Sequence, residues 1–156
     1  MNYLYTIRQI GFVRENQMKI LVSACITGCN CKYNGRNNLN PKIVEFLKDK
    51  QTIEICPEIL AGMGIPRAAV EIVAEYITDC NGKNVHNEYE KGVELALKKI
   101  KGENINLAIL QSRSPTCGVN QIYDGSFTGK LIKGQGIFAK ALIKSGYKVI
   151  DSEDVK

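Results

Sequence analysis

Tryptophan is absent from this sequence, aromatic residues make up 7% of it, and histidine occurs once, at His86. A groove for single-stranded nucleic acid needs a series of aromatic faces on which bases stack, and this chain has little to build one from. The lone histidine has no partner signature around it, so a Cys-His nucleophile has no support and His86 is expected at the surface. No apolar run approaches the roughly 18 to 20 residues that cross a bilayer, so no membrane span is expected. Charge of one sign does not gather into a block either. The 21 Lys+Arg and 16 Asp+Glu leave a net +5 scattered along the chain, the pattern of a solvated lysine-rich surface with a weak leaning toward anionic ligands.

What is present is cysteine, six residues of it. A disulfide framework serves short secreted chains, whereas 156 residues at 44% hydrophobic content can bury a core without staples. The opening stretch "MNYLYTIRQIGFVRENQ" is interrupted by Arg8, Arg14 and Glu15 and lacks the apolar segment of a secretory leader. A reducing, cytoplasmic setting is the expectation. Residues 1–17 are expected to be a dispensable extension, and residues 18–156 a single domain.

"MKILVSA" is a short apolar run that fits a strand buried on both faces. The Pro41 stretch, with Ile43, Val44, Phe46 and Leu47 as a stripe, predicts a helix over 41–50. "TIEICPE" predicts a second strand stopped by Pro57. Residues 68–84 fit a helix or a hairpin ending at Asn81-Gly82, with extended structure preferred. "NEYEKGVELALKKIKG" is an amphipathic helix with Tyr89, Val93, Ala96, Leu97 and Ile100 on one side and Gly102 as terminator. "INLAILQS" predicts a third buried strand, residues 112–136 polar turns, "GIFAKALIKSG" a helix and "YKVID" a last strand. This alternation implies a single α/β domain with a mainly parallel sheet flanked by helices.

In such sheets ligands bind beyond the carboxyl ends of the strands. Cys25, Cys56 and Cys117 each follow a predicted strand there. Three thiolates from three loops can hold one metal or cluster and leave a coordination position empty. The same positions also suit thiols packed in a core. Cys29 and Cys31 are expected to be exposed loop thiols, and Cys80 a structural one. Gly134-Gln135-Gly136 before a helix offers a weak phosphate-cradle signal.

Further ordered motifs decide between these readings. "VSAC" with Gly28 three residues later, "YNG", "ICPE", "PR" with a following "EI", "SRSPTCG", "IYDGSFTGK" and "GQGIFAKAL" run from Met18 to about Ser152. Together they resemble the family called domain of unknown function 523, whose characterised members are thiouracil desulfurases. The resemblance implies a [4Fe-4S] cluster on Cys25, Cys56 and Cys117, whose fourth iron is open to the sulfur of a thiocarbonyl substrate. It places catalytic roles on Glu58 and Ser114 and pocket-framing roles on Arg67 and Glu71. Lys32, Asn34 and Thr116 stand where family members more often have Arg, Asp and Ser, and Lys32 is expected at the substrate. The implied reaction is non-redox desulfuration of a thiolated pyrimidine-like base to its oxo compound with release of sulfide. The substrate is a small thiolated heterocycle, with thiolated RNA the less expected alternative. A zinc or thiol-based regulatory module using Cys25, Cys29, Cys31 and Cys56, or a cluster-bearing sulfur carrier, are the competing functions.

Because residues 1–17 precede both the first buried run and the motifs, a chain beginning at Met18 is expected to fold and to bind the cluster as the full chain does. Circular dichroism and iron analysis of that truncation check this, and a truncated chain that does not fold contradicts it.

Overall fold

The structure, a computed structural model, describes residues 17–155, so the expectation about residues 1–17 lies outside it except for Gln17. In chain order the elements are β1 (Lys19–Ser23), α1 (Pro41–Leu47), β2 (Gln51–Ile55), α2 (Pro57–Leu60), β3 (Val70–Val73), β4 (Tyr76–Asp79), α3 (His86–Ile100), β5 (Leu107–Leu110), β6 (Gln121–Tyr123), β7 (Leu131–Lys133), α4 (Ile137–Lys144) and β8 (Val149–Asp151). A four-stranded parallel sheet in the order β2-β1-β5-β8 carries the domain.

β1 sits inside this sheet, and its Ile20, Leu21 and Val22 are fully buried. Successive strand side chains point to opposite faces, which divides the core in two. Ile20 and Val22, with Leu107 and Ile109 of β5, meet Ile43, Phe46 and Leu47 of α1. Leu21, with Ala108 and Leu110, meets Val93, Ala96 and Ile100 of α3 and Phe138, Ala139 and Leu142 of α4. Continuous aliphatic runs are required here because neither face of the inner strands meets water.

The chain leaves β1 for β2 on one side and later returns to β5 on its other side, with α1 and α3 packed on opposite faces. Connections that diverge in this way open a crevice at the carboxyl ends of the two strands. The site lies there.

Local chemistry sets the element limits. Asn40 caps α1, its side-chain oxygen accepting the N–H groups of Lys42 and Ile43. This helix stops at Leu47, short of the 50 expected, because the Gln51 N–H must bond the Met18 carbonyl at 2.9 Å to start β2 beside β1. Residues 68–84 are extended, as preferred, but the β3-β4 hairpin turns at Ala74-Glu75, both with positive φ. The Asn81-Gly82 signal marks a later turn, where the Asp79 carboxylate accepts the Asn81 and Lys83 N–H groups. Within 112–136, expected as turns alone, β6 and β7 form a second small hairpin.

Gly92 brings α3 against the short α2. A Cβ there would lie 2.3 Å from the Pro57 carbonyl oxygen, so the helix cannot accept one without moving the segment between Cys56 and Glu58. Gly92→Ala is therefore expected to destabilise the fold by about 1–3 kcal/mol, the usual range for overpacking. Urea unfolding should show a lower midpoint at unchanged slope. An unchanged midpoint would mean the two helices separate freely.

Candidate functional site

Cys25 lies in a 3-10 turn, Ala24–Thr27, that follows β1 directly. Cys56 is the residue between β2 and α2. Cys117 is in the loop after β5. All three border one cavity of about 580 Å3, together with Glu58, Arg67 and Ser114. The three thiols singled out from strand ends thus converge.

The Cys117 loop is built by Ser114. Its hydroxyl oxygen accepts the N–H groups of Thr116 and Cys117, each at 3.0 Å, and its carbonyl accepts the Gly118 N–H at 2.8 Å. The start of α4 closes on this loop, with Ile137 N–H donating to the Pro115 carbonyl at 3.0 Å and Phe138 N–H to that of Thr116 at 2.9 Å. Gly136 permits the approach, since a Cβ would sit 2.4 Å from the Thr116 carbonyl. The phosphate-cradle reading of Gly134-Gln135-Gly136 is thereby corrected: the amides at this helix start already serve the Cys117 loop.

Glu58 is held at both oxygens. Thr116, fully buried, donates its hydroxyl to Oε1 at 2.6 Å, and the Cys56 thiol donates to Oε2 at 3.3 Å. One carboxylate therefore ties the Cys56 segment to the Cys117 loop. Thr116 drew notice in the sequence only as a replacement for serine; its bond to Glu58 joins residues 58 positions apart and has no local signal.

Cys31 corrects a further expectation. Cys29 is exposed as anticipated, but Cys31 is 3% exposed. The loop after β1 folds back through Asn38 N–H to the Cys25 carbonyl at 2.9 Å and Lys32 N–H to the Arg36 carbonyl at 3.1 Å. This places the Cys31 thiol within hydrogen-bond reach of Cys25, Cys56 and Cys29. That bond to Cys31, helped by Asn38 at 3.4 Å and opposed by burial, brings the Cys25 thiol down to about 7. The pull of Cys25 first and Cys56 second on its one proton pushes Cys31 itself up. Burial, then the Glu58 charge, push Cys117 up.

Lys32 borders the cavity as expected, whereas Asn34 is exposed and accepts the Arg36 N–H in a local turn. Glu71 is in the cavity wall, its Oε1 accepting the N–H groups of Gly125 and Phe127 at 3.0 and 3.2 Å, which pins the turn between β6 and β7. Cys80 is exposed in the turn after β4. His86 is not a free surface residue: its Nδ1 accepts the Ile77 N–H at 3.2 Å, its Nε2 lies 3.2 Å from Glu90, and its ring meets Tyr76 edge-on.

Among the described residues no three His, Cys, Asp or Glu side chains are arranged to hold a single metal ion. The donor set at the cavity is instead four thiols, Cys25 and Cys31 from the loop after β1 and Cys56 and Cys117 from two other loops. Soft thiolate donors spread around a shared cavity fit a [4Fe-4S] cluster.

The family model for 2-thiouracil desulfurase matches residues 20–154. An uncharacterised protein, YbbK of Bacillus subtilis (strain 168), is 35% identical over 146 residues, covering 87% of this chain and 97% of that protein. A solved structure of the [4Fe-4S]-dependent thiouracil desulfidase TudS superposes with a TM-score of 0.80 at 30% identity, over 87% of this chain and 91% of that one.

If the Thr116 hydroxyl anchors Glu58, Thr116→Val, nearly equal in shape, should cost about 1–3 kcal/mol by leaving the half-buried carboxylate oxygen without its donor. Thr116→Ser should retain stability to within a fraction of that. Denaturant titration of both checks the assignment, and equal losses in the two variants would point to the methyl group instead.

Proposed function

The chain belongs to the 2-thiouracil desulfurase family, and we propose that it is a [4Fe-4S]-dependent desulfurase acting on a thiolated pyrimidine-like base. The overall change is hydrolytic: thione and water give the oxo compound and hydrogen sulfide, with no net oxidation. The observation that carries this reading is the convergence of Cys25, Cys56 and Cys117 on one cavity with a carboxylate, Glu58, fixed between two of their loops. A bound cluster supplies a Lewis acid for the thione sulfur.

The protein's own groups supply the rest. Glu58 accepts the proton of the attacking water and returns it to the departing sulfur, so the carboxylate ends as it began. Thr116 keeps that carboxylate from rotating away. The Ser114 oxygen accepts two backbone N–H groups, which leaves its own proton free to donate toward the heterocycle. Arg67, Glu71 and Lys32 frame the base. A small heterocycle fits this buried setting better than a thiolated position in RNA. All six cysteines are free and no helix among the described residues is long and apolar enough to cross a membrane, which supports a cytoplasmic role where thiols stay reduced.

Anaerobically purified protein is expected to be brown, to contain iron and acid-labile sulfide, and to release sulfide from 2-thiouracil. A colourless, zinc-containing protein, or a brown one that releases no sulfide from free bases, nucleosides or thiolated RNA, contradicts the reading. Alanine at Cys25, Cys56 or Cys117 is expected to abolish the cluster, and alanine at Cys80 to leave it intact. Glu58→Gln is expected to keep the cluster and lower sulfide release per cluster by on the order of 10²- to 10⁴-fold, the usual contribution of a general acid-base. If instead Glu58 only braces the Cys56 segment, iron content and activity will fall together.

A further inference from the structure

The thiols at the cavity differ in what faces their sulfurs. Two acceptors face Cys56, Glu58 Oε2 at 3.3 Å and the Cys31 carbonyl oxygen at 4.0 Å, and its sulfur competes with that of Cys25 for the one proton of the Cys31 thiol. Cys25 has a further donor. The side-chain Nδ2 of Asn38 donates to its Sγ at 3.4 Å, a bond that favours the thiolate over the thiol.

Asn38 is fixed where this bond needs it. Its main-chain N–H donates to the Cys25 carbonyl at 2.9 Å, so amide and thiol belong to two residues tied to each other, and a shift of one carries the other. The loop around it is closed by other bonds, Asn40 N–H to the Ile26 carbonyl at 2.9 Å and Leu39 N–H to Asn37 Oδ1 at 3.0 Å. Its path therefore does not depend on the Asn38 side chain, which is half-buried and borders the cavity. A carboxamide has a donor end and an acceptor end, and against a ligating thiolate only the donor end attracts. An N–H group on a cysteine sulfur withdraws charge from it, one of the levers by which a protein sets the electronics of an iron-sulfur cluster.

Building on the desulfurase reading, we infer that Asn38 is a positioning residue for the reaction: acting through Cys25, its amide draws electron density off the ligating sulfur and makes the cluster a stronger acceptor for the thione sulfur. Asn38 touches neither substrate nor iron in this role. Reduction adds an electron to the same cluster, so the donor that strengthens the acceptor also raises the reduction potential. That potential is measurable with no substrate present, and a side chain that only ordered the loop would not move it.

The experiment loads three proteins with cluster anaerobically: wild type, Asn38→Leu, which keeps the volume and removes the N–H, and Asn38→Gln, which keeps an NH2 group on a longer arm. Iron per chain is measured first, then the reduction potential by a titration followed with electron paramagnetic resonance, then kcat and KM for 2-thiouracil. Asn38→Leu is expected to hold wild-type iron, to move the potential to more negative values and to lower kcat about 10-fold at unchanged KM, the scale on which one hydrogen bond to a charged group acts. Asn38→Gln should recover part of both changes. An unchanged potential in Asn38→Leu, iron lost in step with activity, or a raised KM at constant kcat would overturn the inference, the last by making Asn38 a substrate contact. Measuring the potential without substrate separates the inference from the reading beneath it. A shifted potential in protein that releases no sulfide from any thione sinks the desulfurase reading and sustains Asn38, whereas sulfide release at an unshifted potential does the reverse. A wild type that takes up no cluster defeats both.

Discussion

The addition of strands on both sides of β1 is the constraint on which the site depends. Because β2 is added on one side of β1 and β5 on the other, the loops leaving β1 and β5 part company and cannot fill the space above their carboxyl ends. Cys25 and Cys117 occupy those two loops, and Cys56 joins them from the strand on the far side. Cys25 and Cys56 follow their strands almost at once, and only Cys117 needs a shaped loop, the one Ser114 builds. The parallel register, Ile20 to Val22 against Leu107 to Ile109, brings the carboxyl ends level, and levelness is what a shared ligand requires. A sheet of the same strands in antiparallel order would send alternate ends to opposite edges. The aliphatic core thereby sets the distance between thiols that are nowhere near each other in sequence.

Once brought together, these groups are electrostatically uneasy. Cys117 is buried in apolar surroundings and near the Glu58 charge, which holds its proton on. Cys25 is the opposite case, with Cys31 and Asn38 favouring the thiolate. Thiolates are the form that binds metal, and metal binding displaces the protons. The site therefore presents one thiol that favours its thiolate and one whose surroundings hold the proton on. Cys31, buried within hydrogen-bond reach of Cys25 and Cys56, holds its one proton against their sulfurs, a role quite unlike the exposed thiol its loop position suggested.

Much of this was legible in the sequence, and what was not shares a cause. β1 and β5 could be read because strands buried on both faces must be continuous aliphatic runs, and "ILV" and "LAIL" admit little else. Cys25 and Cys117 followed from those strands, and Cys56 from β2. The α3 helix was equally plain, its stripe of Tyr89, Val93, Ala96 and Ile100 burying as a single face. Long-range bonds hid the rest. Cys31 is buried only because Asn38 and Arg36 close its loop, and Thr116 matters only because Glu58, from a different strand end, lies 2.6 Å from its hydroxyl. Ala74-Glu75 adopts a positive-φ turn that neither residue favours by itself, held by the pairing of Ile72 with Ile77 across it. β6 and β7, three residues each, are too short for any alternation to register.

The state of each hydrogen bond then sorts the polar residues around the cavity. Glu58 and Glu71 have partners supplied by the protein, so each has a fixed place before any ligand arrives, one between two cysteine segments and the other under the β6-β7 turn. Ser114 has its oxygen engaged and its proton free. Arg67 donates through Nη2 to the Cys31 carbonyl and shares a hydrogen bond with the Tyr89 hydroxyl. Groups fixed in this way hold the cavity's shape, so the thiols and the carboxylate between them meet whatever enters in a set arrangement.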